Sequence, residues 1–526
     1  MWGPRSSRTL TIAAAVAVFV GCCVLPLAYM LAASLGAAAG PGSRALWLDP
    51  RQQRLMYATA VLGTGTAVLA TLIGAPLGLA LGRIDLKWKA ILRLLLSMPM
   101  LLPPYVVGLS WVFLSERSGW LAQIVGRDVL SNWTYTTTGA VVVLSLVFYP
   151  ISMLATEVAV RRIEPRLEEA ALVVAPPARV LWHITMRLAA PSSVAAALVI
   201  FVLAVSELGV PGLLRVRVFT TEVFTAFASL YDFGRATLLA LPLLLLSTMA
   251  AAVAVGVEGE RLIATRRGGR SAHPPILQGW KPAAVTLAGV VFVLAAVLPL
   301  AVLTRTSFGA RSWTAVISGS GGAIRNSLLL ATAGAMVTLV TGLALGYARA
   351  RASRGIGAAI DLALVIAFAV PSTVVGVGLI GLWNRPGIPG AVYGTEAMVL
   401  LVCLARFLPV AALGLAAAAR QVPVSHEEAA AAAGAGWLRT MTHIVVPQMV
   451  TGLLASGVVL FVLAFGELSA SILVAPPGDA TLPIRIYTLI ANAPPADVAA
   501  LALLQSAVIV APLMLLAAVI ARREAL

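Results

Sequence analysis

Residues 427–447 read EEAAAAAGAGWLRTMTHIVVP, and the first four letters of this stretch occur earlier in the chain, at 168–171. Two adjacent glutamates favour a helix N-terminus through the helix dipole, and the alanines that follow are strong helix formers with little bulk. Gly434 permits the turn that ends such a helix. The stretch therefore predicts a short helix whose backbone another protein can approach closely.

The chain around this stretch is strongly apolar. Of its 526 residues, 60% are hydrophobic and 11% are charged, and the mean hydropathy is +0.97. Soluble domains contain about 25% charged residues, so this composition excludes a water-soluble globular protein and a disordered one. It predicts an all-α integral membrane protein with about twelve spans. The apolar segments lie near 10–36, 55–82, 92–114, 138–160, 190–210, 236–257, 283–304, 326–348, 358–382, 396–418, 448–470 and 498–520.

Arginine and lysine set the expected orientation. The net charge of +16 would suggest nucleic acid in a soluble protein, but here it is explained by basic loops on the cytoplasmic side. With the N-terminus inside, 23 basic residues fall in cytoplasmic loops and 13 in the opposite loops. We therefore expect both termini in the cytoplasm, a lipid bilayer as the surroundings and no nucleic-acid partner.

The chain repeats itself at about half its length. FVLAVSELG at 201–209 returns as FVLAFGELS at 461–469, and LPPYVVG at 102–108 returns as VPSTVVG at 370–376. These two pairs and the EEAA repeat at 168–171 and 427–430 occur in the same order in both halves. Together they predict two fused six-helix units. We assign residues 1–260 to the first unit, with a cytoplasmic loop at 161–189. Residues 261–282 form a basic linker, and residues 283–526 form the second unit, with a loop at 420–447. Because six is even, the two units enter the membrane from the same side as parallel repeats.

The second loop resembles the coupling loop in permeases of binding-protein-dependent ABC importers. The matching positions are Glu428, Ala429, Ala430, Gly434, Ile444 and Pro447. The first copy departs from the pattern, because Ala175 stands where glycine is expected and Pro176 follows. The resemblance implies the type I ABC importer permease fold and a coupling helix in each half that seats in an ATPase. The ATPase-coupling residues it implies are Glu168, Glu169, Ala170, Ala171, Glu427, Glu428, Ala429, Ala430 and Gly434.

Energy must come from another chain. None of the three lysines, Lys87, Lys89 and Lys281, follows a glycine, so no phosphate-binding GxxxxGK[ST] loop is possible. The resemblance implies two copies of a cytoplasmic ABC ATPase, which bind ATP and magnesium, and an external or periplasmic substrate-binding protein. The chain itself is then a transport subunit of the bacterial cytoplasmic (inner) membrane and not an enzyme, with no cofactor of its own.

The substrate is less well specified than the family. Fusion of two units and the segments 206–224, 404–409 and 481–488 are similar to ferric-iron importer permeases. Related fused permeases handle thiamine, aminophosphonates or sugar phosphates, and these stay open. A gradient-driven secondary transporter with twelve helices is the alternative from a different class. A membrane enzyme would need clustered acid, base or metal-binding residues, which the sequence does not offer.

Charged residues within the apolar segments are candidates for a translocation path. Glu207 and Glu467 occupy equivalent positions late in spans five and eleven. They are interpreted either as a carboxylate pair that meets a cation at the outer gate or as helix-end acids bonded to backbone. Arg406 lies inside span ten, where we expect it to pair with Glu467 or Glu157 in a structural ion pair rather than act in substrate passage.

Prolines predict breaks in two spans. Pro103 and Pro104 precede Val-Val-Gly in span three, with Tyr105 between them and that triplet, and Pro371 stands at the equivalent place in span nine. Freed carbonyls are tolerated where they line a cavity, so Tyr105, Gly108, Thr373 and Gly376 are path candidates; kinks that serve only packing are the alternative. The scattered histidines and the three cysteines show no metal-ligand spacing, and no metal site is expected in the protein.

Overall fold

The computed structural model describes residues 4–38, 49–86, 88–116, 132–259, 277–310 and 312–525. Within these ranges nine helices are long and apolar enough to cross a membrane, and three bent helix pairs bring the number to twelve. In chain order the spans, numbered one to twelve below, are Ser7–Gly36, Pro50–Arg83, Lys89–Leu101 with Pro104–Ser115, Thr137–Arg161, Pro177–Ser206, Phe233–Val257, Gln278–Ser307, Gly321–Ala350, Arg354–Ala369 with Ser372–Trp383, Ala397–Gln421, Trp437–Gln448 with Val450–Gly466, and Pro495–Leu516. All twelve apolar segments are represented. Most of the expected linker, 260–276, lies outside the described residues.

Spans three and nine bend where the prolines predict. The helix axes turn by 83° at Leu102 and Pro103, and by 93° at Val370 and Pro371. Proline has no N–H to donate, and the residue before it is pushed to an extended conformation, which ends the first helix of each pair. Leu102 and Val370 are both extended, as this rule requires.

Spans five and eleven start earlier than the sequence indicates. Span five begins at Pro177 rather than near 190, because Pro191 is accommodated inside a continuous helix. Span eleven was expected from 448, but its helix starts at Trp437 and bends by 78° around Met449. Proline is tolerated within membrane helices when neighbours satisfy the freed carbonyls, so it marks helix ends poorly there.

Each half is built on the same tightly packed helix pair. Span two packs along span four, and span eight packs along span ten. Glycines allow this: a Cβ at Gly78 would overlap the carbonyl oxygen of Met153, and a Cβ at Gly346 would lie 2.8 Å from the carbonyl oxygen of Ala412. Small residues let membrane helices approach closely. The repeat seen in the sequence is therefore a repeat of packing.

The two halves are interlocked at their first spans. Span one of the first half packs on span nine of the second, where Gly378 faces Met30. Span seven of the second half packs on spans two and three of the first and joins their apolar core. Each unit therefore contributes a helix to the other.

Short helices complete the fold at both ends of the bundle. Pro165–Val174 and Val424–Ala432 lie in the two loops after spans four and ten. After span five come Gly209–Leu213 and Phe219–Ala228, and after span eleven come Ser471–Val474 and Leu482–Leu489. Trp313–Gly319 precedes span eight, and Ile388–Val392 precedes span ten. The first pair and the helices that follow spans five and eleven form the candidate site.

Candidate functional site

The helix Val424–Ala432, called coupling helix 2 below, forms where the alanine-rich stretch predicts it. The turn that follows Ala432 contains Gly434, whose φ of +78° is readily adopted only by glycine. The N–H of Ala435 donates to the carbonyl of Ala430 at 2.9 Å, and the N–H of Gly434 donates to Ala431 at 3.0 Å. This pair of bonds is a Schellman cap. The glycine of the motif thus ends the helix sharply and leaves Glu428 and Ala429 exposed.

The helix Pro165–Val174, called coupling helix 1 below, ends by a different route. Ala175 takes an extended conformation and Pro176 follows, so the helix stops without a glycine. Its last turn exposes Val173 at 84% and Val174 at 83%. Exposed apolar side chains of this kind are typical of a surface that another protein covers. Both halves therefore carry a short helix where a coupling helix is expected, although only the second has the complete motif.

The two glutamates of each motif point in different directions. Glu168 is fully buried, and its carboxylate accepts hydrogen bonds from Arg83 at 3.0 Å and from the hydroxyl of Thr185 at 2.6 Å. Its neighbour Glu169 is exposed, as is Glu428 in the second half. Glu168 therefore holds coupling helix 1 to span two, and only Glu169 is free to meet a partner.

The second half repeats this anchor. Glu427 pairs with Arg351 at the end of span eight and accepts a hydrogen bond of 2.7 Å from the hydroxyl of Tyr347. Arg351 also donates to the carbonyl of Val422 at 2.9 Å. Arg83 and Arg351 occupy equivalent places in the two copies, and the sequence analysis missed both. Their common spacing from the repeated LPPYVVG and VPSTVVG segments was the signal that could have found them.

The carboxylates Glu207 and Glu467 cap the short helices that follow spans five and eleven. Glu207 accepts a hydrogen bond from the N–H of Gly209 at 2.9 Å. Glu467 accepts from the N–H groups of Ala470 at 3.0 Å and Ser471 at 2.8 Å. Both glutamates remain partly exposed deep in the bundle, and the charges of Glu207 and Glu467 act on each other. The structure thus bonds both carboxylates to backbone N–H groups.

The four path candidates near the proline breaks are buried. Gly108 packs on the helix after Glu207, where a Cβ would lie 3.3 Å from Val210. Gly376 packs in the same way on Ala470, at the equivalent place. Tyr105 donates its hydroxyl hydrogen to the side-chain oxygen of Gln505 in span twelve, which joins the two halves. Together with the buried Thr373, these residues are packed against neighbouring helices and do not line an open cavity. Gln505 was not predicted.

Arg406 bonds to backbone through one nitrogen of its guanidinium, while its Nε is buried without a hydrogen-bond partner among the described residues. Its guanidinium donates to the carbonyl of Val370 at 2.8 Å, which is the carbonyl directly before Pro371. The expected pair with Glu157 does not form, because Glu157 pairs with Arg93 and Arg161, each at 2.7 Å. The charges of Glu467 and Glu207 both act favourably on Arg406 without a direct ion pair. Arg406 therefore links span ten to the backbone carbonyl at the break of span nine.

Among the described residues, no three or more His, Cys, Asp or Glu side chains come together in a way that could hold a metal ion. The described cysteines Cys22, Cys23 and Cys403 are free and buried.

Known proteins resemble this chain over both halves. Residues 74–259 and 338–525 each match the family described as "Binding-protein-dependent transport system inner membrane component". The putative ferric transport system permease protein FbpB 1 of Haemophilus influenzae is 25% identical over 446 residues, which cover 80% of this chain and 69% of that protein. The ferric transport system permease protein FbpB of Actinobacillus pleuropneumoniae is 25% identical over 77% of this chain, which covers 62% of that protein's length. The putative 2-aminoethylphosphonate transport system permease protein PhnV of Salmonella typhi is 27% identical over 44% of this chain and 93% of its own.

Proposed function

This chain belongs to the family of binding-protein-dependent transport system inner membrane components, and from that premise we propose that it is the permease of an ATP-driven importer of ferric iron. The observation that carries the proposal is the pair of coupling helices, each tied by an Arg–Glu pair to its own half and each exposing a second glutamate. A gradient-driven carrier has no use for such a pair of docking helices.

The partners follow from this arrangement. Two coupling helices imply two copies of a cytoplasmic ABC ATPase, which bind ATP and magnesium, and a soluble protein delivers the substrate on the opposite face. The chain lies in the bacterial cytoplasmic membrane with both termini in the cytoplasm, which the excess of basic residues in loops on the coupling-helix side supports.

We propose that the two Arg–Glu pairs transmit movement of the ATPases to the membrane spans. When the ATPases close on ATP, they displace coupling helices 1 and 2. The buried pair of Arg83 and Glu168 transmits the displacement to span two, and Arg351 and Glu427 transmit it to span eight. Because spans two and eight pack tightly on spans four and ten, spans two and four move together, and so do spans eight and ten. This movement opens the substrate passage alternately to one face of the membrane and to the other.

The substrate passes between the halves, close to Glu207 and Glu467. Both residues are partly exposed at the centre, and a cation is the substrate that such a pair of acids attracts. Separation of the halves breaks the hydrogen bond between Tyr105 and Gln505 and frees Gly108 and Gly376 from the short helices. Within this proposal Tyr105, Gly108, Thr373 and Gly376 become exposed only when the passage opens.

Iron is proposed because two relatives that align with most of this chain are named for ferric transport. A relative of about half the length is named for 2-aminoethylphosphonate, so an organic phosphonate is the second candidate. Thiamine and sugar phosphates remain further candidates in the same family.

Uptake of radioactive substrate into cells tests the proposal. Cells that co-express the chain, an ATPase and a binding protein are supplied with iron(III), 2-aminoethylphosphonate, thiamine or a sugar phosphate. Iron uptake that requires all three components supports the proposal. Chain-dependent uptake of another solute with no iron uptake would keep the importer and replace its substrate. Uptake that does not require the ATPase would contradict the proposal that the chain is the permease of an ATP-driven importer.

A further inference from the structure

Four arginines surround a groove on the face of the molecule opposite the coupling helices. Span two runs from Pro50 to Arg83, and Arg83 anchors coupling helix 1. Arg51 and Arg54 lie at the other end of this helix, roughly 50 Å away at ~1.5 Å per residue. Arg215 and Arg217 come from the segment between the helices Gly209–Leu213 and Phe219–Ala228, and they meet the end of span two.

The groove consists of two adjoining cavities. One has a volume of about 320 Å³ and is lined by Arg51, Arg215 and Arg217; the other has about 590 Å³ and is lined by Arg51, Arg54 and Arg217. All four arginines are exposed. Loops on the outer side of a bacterial membrane normally contain few arginines, so four around one groove are unexpected.

Few acids oppose these charges. Glu222 pairs with Arg51 at 2.9 Å, and the carboxylate of Asp49 accepts the backbone N–H of Arg51. Arg215 lies over the ring of Tyr135, 5.6 Å from its centre. Arg54 and Arg217 form no ion pair with any other described residue. Glu116 also acts on Tyr135. Among the described residues, the four arginines around the groove outnumber these acids.

Backbone strain at Arg215 indicates that this side chain has a use. Arg215 has a φ of +55°. Its N–H donates to Gly212 and the N–H of Val216 donates to Pro211, so Arg215 occupies the position of a Schellman cap that glycine prefers. A non-glycine residue there costs about 1 kcal/mol. Strain of this kind concentrates at functional positions.

The arginines are not repeated in the second half. At the offsets of the repeat, Gly319 and Gly322 stand in place of Arg51 and Arg54, and Ala475 and Pro477 stand in place of Arg215 and Arg217. Scaffolding is duplicated in this chain, as the paired glycines of spans two and eight show. The groove is therefore an addition to the scaffold of one half.

The groove is joined to the central passage. The hydroxyl of Thr220 donates to the backbone carbonyl of Glu207 at 3.2 Å, and the N–H of Phe219 donates to the hydroxyl of Thr59 in span two at 3.1 Å. The helix that starts at Phe219 also carries Glu222, the partner of Arg51. A molecule that binds the arginines therefore acts on the element that holds Glu207.

We propose that this arginine groove binds carboxylate side chains on the surface of the soluble substrate-binding protein and so seats it on the first half of the permease. The proposal rests on the importer function given above and adds the surface and the chemistry of the contact. Guanidinium groups bind carboxylates through paired hydrogen bonds, and complementary charge speeds association. A binding protein seated on the arginine groove lies next to Glu207, at the mouth of the passage.

A peptide measurement tests the groove without reference to transport. The full chain is placed in phosphatidylcholine nanodiscs, and binding of a fluorescent eight-residue polyglutamate peptide is measured at increasing salt. Binding that weakens with salt is expected for wild type. The double variant Arg54→Glu/Arg217→Glu should lose about tenfold in affinity. The matched control Arg325→Glu, on the same face of the second half, should stay within about twofold. Equal elution and thermal midpoints establish that the variants are folded.

A second measurement uses the binding protein that supports uptake. With permease and ATPase reconstituted, the double variant should raise the concentration of binding protein for half-maximal ATP hydrolysis by about tenfold, and Arg325→Glu should not. Unchanged concentrations in the double variant would overturn the proposal. So would absence of peptide binding to wild type, in which case phosphatidylglycerol that co-purifies with wild type but not with the double variant would identify lipid as the occupant. If no solute is taken up, the importer function fails while the peptide result still decides the groove.

Discussion

The guanidinium of Arg83 lies 3.0 Å from the carboxylate of Glu168, and both side chains are completely buried. The pair joins the end of a membrane span to a short surface helix. Its counterpart in the second half, Arg351 with Glu427, is partly exposed. An Arg–Glu ion pair therefore fixes each coupling helix to its half, and the pair in the first half is more deeply buried than the pair in the second. The two pairs should respond differently to substitution.

We predict that Glu168→Ala destabilises the protein more than Glu427→Ala. The first change leaves the charge of Arg83 buried without its carboxylate partner, with only the carbonyl of Val160 to accept from it, which costs about 3–5 kcal/mol. The second leaves Arg351 close to water, at a cost of about 1 kcal/mol. Thermal midpoints of the purified protein in detergent measure both effects. The double variant Arg83→Met/Glu168→Leu should recover most of the loss, and equal losses in the two single variants would contradict the prediction.

Charge reversal at the exposed glutamates should weaken the ATPase contact unequally. Glu428→Arg is expected to reduce the amount of co-purified ATPase more than Glu169→Arg, because coupling helix 2 has the complete motif and the glycine-ended turn. Ser425→Arg, at an exposed site on the same helix, serves as a control for added charge. Equal losses at Glu428 and Glu169 would show that both halves dock in the same way.

Replacement of glycine by alanine should destabilise the protein at one site and not at another. At Gly78, a Cβ would overlap the backbone of span four, so Gly78→Ala should destabilise by about 1–3 kcal/mol. At Gly256 in span six, no other atom lies within 4 Å of a Cβ, so Gly256→Ala should leave stability unchanged or raise it by about 0.5–1 kcal/mol. Thermal midpoints distinguish them. A Gly78→Ala protein as stable as wild type would mean that spans two and four are not packed as described.

Removal of the central carboxylate charges tests the passage. Glu207→Gln keeps an oxygen that can accept the N–H of Gly209. Glu467→Gln keeps an oxygen for only one of the two N–H groups, those of Ala470 and Ser471, that the carboxylate accepts, so its short helix stays partly capped. Iron uptake should nevertheless fall by about tenfold, because the attraction for a cation is lost. Glu396→Gln, an exposed carboxylate before span ten, is the control.

Normal uptake in both central variants, with normal ATPase co-purification, would show that Glu207 and Glu467 act only as helix caps. Loss of uptake together with loss of the ATPase would mean that the change disturbs the fold, and the charge would then have no separate role.

The sequence was sufficient for the number of spans, the repeat and the two short helices in the loops after spans four and ten, because hydropathy, proline breaks and alanine-rich helices are local signals. The partners of charged residues were not local. Arg406 was expected to meet Glu467 or Glu157, but it bonds the carbonyl that Pro371 frees, and Glu157 pairs with Arg93 and Arg161. Such choices depend on which helices pack together.

The same limit applies to the interlocked first spans. Span one is as apolar as its neighbours, and nothing in its composition indicates that it packs on the opposite half. The inward position of Glu168 was also missed, because Glu168 and Glu169 are identical residues side by side. Only the location of Arg83 distinguishes them.

The most direct test of the account is accumulation of radioactive iron(III) in proteoliposomes that contain the purified chain and ATPase, with the iron-loaded binding protein outside and ATP enclosed. The account predicts accumulation that requires ATP, stops when the ATPase is left out, and continues when ionophores collapse the ion gradients. Accumulation that persists without the ATPase and disappears with the gradients would contradict it, and would make the chain a gradient-driven carrier.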